Sequence, residues 1–242
     1  DGTEREYVER AIEGGLKILG FSDPSPYPFP DGYDSGMRMR LDQVEGYVDT
    51  VLALKKEYDK DIEIHLGLET EYFPRFWDQL INFLTDYPFE YFVLGQHSLG
   101  NEIEKILYSG HGTTDGSYLK QYVDQCLAGL DTGKYLYLAH PDLFLFNGDE
   151  AVFDREYRRL CREVKKRNIP LEINFLGLME ERWYPNEKFW KIAGEEGNTA
   201  VFGCDAHTPK AVWNPETEQK ALQLAAKYGL KVQETVPMPK TF

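Results

Sequence analysis

AVFGCDAHTP, residues 200–209, opens as an apolar strand through Ala200, Val201 and Phe202, then sets an acid, Asp205, and an imidazole, His207, two residues apart ahead of Pro209. Side chains at i and i+2 of an extended segment point to the same side, so both groups are expected in one small volume at the exit of the strand. A carboxylate and an imidazole held together there call for a third party, a metal ion or a substrate.

The same form recurs upstream. KILGFSD (17–23), IEIHLGLETEY (62–72), YFVLGQH (91–97), YLYLAH (135–140) and PLEINFLG (170–177) are apolar runs that close on polar residues. Between them lie EREYVERAIEGGL, RLDQVEGYVDTVLALKKEY, SYLKQYVDQCLAGL, FDREYRRLCREVKKR and NEKFWKIAGEEG, whose apolar residues recur at helical spacing. Strand alternating with helix implies crossover connections and a parallel sheet, hence an α/β fold. Asp23, Glu69, His97, His140, Glu172 with Asn174, and Asp205 with His207 then fall at the C-terminal ends of six strands. In barrels of this kind that rim carries the site. Three of the five histidines lie there, and a cluster of His, Asp and Glu suits a divalent transition metal.

Composition removes other classes. A chain of 242 residues fits one α/β barrel domain spanning 1–242, and no low-complexity linker divides it. Hydrophobic residues at 42% and aromatics at 14% supply a large core. The net charge of -14 disfavours polynucleotides and anionic membranes, which positive fields attract. Cys126, Cys161 and Cys204 are odd in number and far apart, so they read as reduced thiols rather than a disulfide framework. With no apolar run of membrane-spanning length and no signal sequence, the expected location is the cytoplasm.

Individual residues carry plainer readings too. His140 before Pro141 could be a strand-terminal histidine bonded to a backbone carbonyl, and Glu69 a solvated or paired carboxylate. Glu172 and Asn174 are read as supporting groups. His65 lies about 13 Å down the strand from Glu69 and is expected to be packed, His111 sits in a glycine-rich loop, and Asp142 either orients His140 or caps a helix. For phosphate recognition the planar fork of arginine is the fitting cation; Arg38 and Arg40 in GMRMRLD and Arg182 in LMEERWY are the candidate substrate contacts.

At GFSDPSPYPFP, GLETEY, VLGQHS, AHPDLF, LEIN and GCDAHTP the sequence resembles the polymerase-and-histidinol-phosphatase (PHP) superfamily of metal-dependent phosphoesterases, and within it the histidinol-phosphate phosphatases. The resemblance implies a distorted seven-stranded β/α barrel, TIM-like, with up to three zinc, manganese or iron ions on its rim. It implies Glu69, His97, His140, Asp205 and His207 as metal ligands, and hydrolysis of L-histidinol phosphate, a small phosphorylated metabolite of histidine biosynthesis, as the reaction. Such chemistry needs a nucleophile and relief of phosphoryl charge, and clustered metals supply both. Glu69 is the natural bridging carboxylate, with Asp205 and His207 as candidates for proton transfer. The family pattern starts with an H-x-H pair on a first strand, absent from this chain, which opens at Asp1, and has histidine where Pro24 stands. Fewer ions and weaker phosphatase activity than in a complete member are therefore expected.

Overall fold

The chain marks its own helix starts. Thr3 and Glu6 form a reciprocal capping box ahead of α1 (Glu4–Glu13), and Asp115 caps α4 (Gly116–Leu130). Asp149 caps α5 (Glu150–Lys166), Asn186 caps α7 (Glu187–Glu196), and Asn214 followed by Pro215 opens α8 (Pro215–Lys227). Each of these side chains accepts a backbone N–H that the first turn leaves without a partner. Three further helices, α2 (Val44–Glu57), α3 (Trp77–Leu84) and the short α6 (Phe175–Met179), complete the set of eight in the computed structural model, which describes residues 2–238.

Between the helices run β1 (Ile18–Pro24), β2 (Glu63–Glu69), β3 (Tyr91–Leu94), β6 (Tyr135–Leu138), β7 (Leu171–Asn174), β8 (Thr199–Gly203) and β9 (Lys231–Val232), all parallel, in the order β1-β2-β3-β6-β7-β8-β9. They form the curled α/β sheet expected of a distorted TIM-like barrel. Six are the runs singled out in the sequence; β9 is an addition. A small antiparallel pair, β4 (Ser98–Leu99) and β5 (Leu107–Tyr108), stands apart. The strands are buried apolar runs, as a parallel sheet covered by helices requires, and the buried apolar side chains of sheet and helices form one connected cluster. Tyr91 fills space over β1 and β2: its hydroxyl donates to the Phe21 carbonyl at 2.8 Å, and a Cβ on Gly67 would lie 2.4 Å from its ring.

Strand ends are shorter than the apolar runs suggest. β8 stops at Gly203, and Asp205 has a left-handed backbone, φ 45°. Asp205 and His207 are therefore not successive same-face residues of a strand; a turn brings them together.

Candidate metal centre

Glu69 closes β2, and its Oε1 lies 2.9 Å from His140 Nε2 and 3.8 Å from His97 Nε2. The two imidazole rings are 4.9 Å apart, centre to centre. One ligand atom from each of Glu69, His97 and His140 falls within 4.8 Å of the others. The three follow β2, β3 and β6, which are adjacent in the sheet, so neighbouring parallel strands deliver their ends to one point. Two imidazoles and one carboxylate form a donor set that catalytic zinc sites use with a further position open to water or substrate, so these residues fit a divalent ion.

The cluster is built tightly. A Cβ on Gly95 would come within 1.8 Å of Glu69 Oε1, so only glycine leaves room for that carboxylate. His140 is 2% exposed and has φ 26°, a conformation that costs a non-glycine residue of order 1–3 kcal/mol. Its backbone N–H is tied to Glu172 Oε2 at 2.9 Å. Burial alone would lower the His140 pKa, but the hydrogen bond and charge of Glu69 reverse this and raise it to about 9. Burial pushes Glu172 up to about 7, and the other oxygen of that carboxylate sits where a Cβ on Gly203 would be, 1.7 Å away.

Asp205 and His207 form a second group. His207 Nε2 is 3.3 Å from Asp205 Oδ1, and the His207 side chain is 67% exposed. Asn174, at the end of β7, donates to both Glu172 Oε2 at 3.0 Å and Asp205 Oδ2 at 3.1 Å, and so joins the two groups. Burial would raise the Asp205 pKa; the His207 hydrogen bond and the charge of His140 outweigh it and bring the group to about 2. The compact ligand triad thus includes three of the five residues expected as ligands, with Asp205 and His207 linked to it through Asn174.

The arginines separate. The Arg38 side chain is 4% exposed, and each of its guanidinium nitrogens is engaged: by Glu102, by the Ser25 carbonyl and by Glu71. Its guanidinium is thus engaged within the chain, unlike that of a loop arginine held open for a phosphate. Arg40 folds back on Asp42 at 3.0 Å with half its side chain in solvent. Arg182 donates to Glu180 and to the Tyr184 hydroxyl, both at 2.8 Å, and the Tyr184 ring lies 6.0 Å from that of His140.

Pro24 is paired in register with Glu69 across β1 and β2 and offers no ligand atom there. Asp142 is buried and accepts from the Asn186 backbone N–H, which fastens the loop after β6 to the start of α7. His65 pairs with Glu90 and Glu63, as a packed histidine should. Sequence reasoning passed over Glu71, which lies beneath His97, although its spacing two residues beyond Glu69 in GLETEY was a signal.

A sequence profile of the PHP domain matches residues 1–175. The chain belongs to the PHP domain family. Among PHP relatives, the probable histidinol-phosphatase of Deinococcus radiodurans is 26% identical over 226 residues, covering 87% of this chain and 82% of that protein. The histidinol-phosphatase of Bacillus subtilis is 28% identical over 240 residues, covering 85% and 87%. The crystal structure of Lactococcus lactis histidinol phosphate phosphatase, complexed with zinc, L-histidinol and phosphate, superposes with a TM-score of 0.72 at 22% identity, covering 99% of this chain and 94% of that one. The PHP fold is therefore shared along essentially the whole chain.

Proposed function

We propose that this PHP domain is a metal-dependent phosphatase that hydrolyses L-histidinol phosphate to L-histidinol and phosphate. The observation that carries the reading is the Glu69, His97 and His140 triad at adjacent strand ends, its buried histidine held in an unfavourable backbone conformation. The names of the relatives supply the substrate.

Glu69, His97 and His140 would hold a divalent ion, with zinc, manganese and iron as candidates; bound there, it would acidify a water and withdraw charge from the phosphoryl oxygens. Asp205 and His207 handle the proton. The Asp205 hydrogen bond raises the His207 pKa, so the imidazolium, largely open to solvent, is suited to protonate the departing alkoxide. Arg182 is assigned to the phosphate, exchanging its Glu180 contact for the substrate's oxygens. The same reading makes residues 1–242 one domain, acting in the cytoplasm on a small metabolite rather than on nucleic acid or a membrane.

One observation favours a second reading, a barrel that binds metal or phosphate without turnover: Pro24 stands beside Glu69 where the family pattern has an imidazole. Phosphate release from L-histidinol phosphate, a sugar phosphate and a nucleotide, measured alongside metal content, separates the two. Preferential turnover of L-histidinol phosphate is expected. Bound metal with no release from any of the three would establish the second reading.

A further inference from the structure

Arg38, Glu71 and Glu102 form a buried ionic cluster directly behind a candidate ligand. Glu71 is 2% exposed and surrounded by donors: its Oε2 accepts from the backbone N–H of Ser98 at 2.7 Å, that of His97 at 3.0 Å and Gln96 Nε2 at 3.2 Å. Its Oε1 meets the Arg38 guanidinium and faces His97 Nδ1 at 3.5 Å. Arg38 is held from the other side by Glu102 Oε1 at 2.5 Å and lies over the Tyr27 and Phe73 rings, 5.4 and 5.2 Å from their centres.

A carboxylate whose neighbours are all donors can only accept, and the nitrogen facing it must carry the ring proton. The opposite nitrogen of His97, Nε2, is the one directed at Glu69. We propose that Glu71, anchored by Arg38, is a positioning residue that keeps the proton of His97 on Nδ1 and so leaves the Nε2 lone pair free for the metal ion. This rests on the triad being a metal site, and it gives the Arg38 cluster a task that substrate binding does not. The cost of burying charged groups is offset only when they are paired and hydrogen-bonded, as Arg38 and Glu71 are here. Partners that orient a ligating histidine this way typically change metal affinity by roughly 10- to 100-fold when removed.

The test uses the whole chain and zinc alone. In metal-free protein at about pH 8, long-range 15N–1H correlation spectra should show the neutral His97 ring protonated at Nδ1; a proton on Nε2 would overturn the proposal without any variant. Glu71→Gln turns an acceptor into an amide whose N–H₂ competes for the same ring nitrogen. It should populate the Nε2–H tautomer and weaken zinc binding roughly 10- to 100-fold in a chelator competition. Glu90→Gln, which breaks the ion network of His65 and Lys55, serves as the structural control. It should lower the melting temperature with both readouts unchanged. Unaltered zinc affinity in Glu71→Gln, or an equal loss in Glu90→Gln, would make Glu71 merely structural. Neither readout involves substrate, so failure here is distinguishable from failure to hydrolyse L-histidinol phosphate.

Discussion

The two halves of the rim look alike in the sequence and differ in space. Glu69, His97 and His140 follow three adjacent strands and meet at one point, whereas Asp205 and His207 follow β8, separated from β6 by β7. Strands lie about 4.8 Å apart, so β8 starts roughly 10 Å from β6, and Asn174 of β7 spans the gap by bonding Asp205. A polar residue at a strand end marks membership of the rim. Sheet order decides which members come within reach of one point, Glu69, His97 and His140, and which stand beside it.

The strongest test of this division is Glu69→Gln, which removes the carboxylate common to both imidazoles. Turnover of L-histidinol phosphate should fall by roughly 1,000-fold, and zinc affinity should fall with it. Retained zinc affinity would dissolve the triad as a unit.

Next come the opposite pH signatures of the two halves in metal-free protein. The folded pKa of His140 is raised, from 6.5 to about 9. Its contribution is therefore complete below pH 6.5 and lost as pH climbs through 9. The Asp205 pKa is depressed, from 3.8 to about 2, so its contribution is present above pH 3.8 and lost as pH falls through 2. Denaturant midpoints across pH should show the alkaline loss weakened in His140→Gln and the acid loss weakened in Asp205→Asn.

Asp205→Asn sharpens the contrast in function. A roughly 100-fold drop in kcat with zinc affinity held within about threefold is expected if Asp205 serves proton transfer through His207; parallel loss of zinc would place it among the ligands. Smallest is the arginine comparison. Arg182→Ala should raise KM by roughly 10-fold without unfolding the protein, while Arg40→Ala, already satisfied by Asp42, should leave the kinetics unchanged.

Much of this was legible in the sequence because it is local. An apolar run ending in Glu69 or His97 announces both the strand and its exit, and the helical spacing in FDREYRRLCREVKKR marks most of α5, though not its cap at Asp149. The α8 start was equally local, with Asn214 before Pro215, and went unread. Two-residue β9 is too short for any periodicity to show. Other features are long-range. Arg38 looks like a loop arginine available for phosphate until Glu71 and Glu102, 33 and 64 residues away, close on it. The turn at Asp205 overrides the alternation of an extended strand, and the pairing with His207 survives by a different geometry.

Gly95 and Gly203 bear no chemistry of their own, yet each occupies the space in which a carboxylate oxygen comes to rest. One methyl group added at Gly95 would displace Glu69 while leaving every ligand atom in the chain. Gly95 with Glu69, and Gly203 with Glu172, are therefore coupled pairs, because a side chain at the glycine takes the space its acid occupies. Among divergent PHP domains the two members of each pair should vanish together, so that a side chain at position 95 marks a barrel that has abandoned this centre even where both histidines persist.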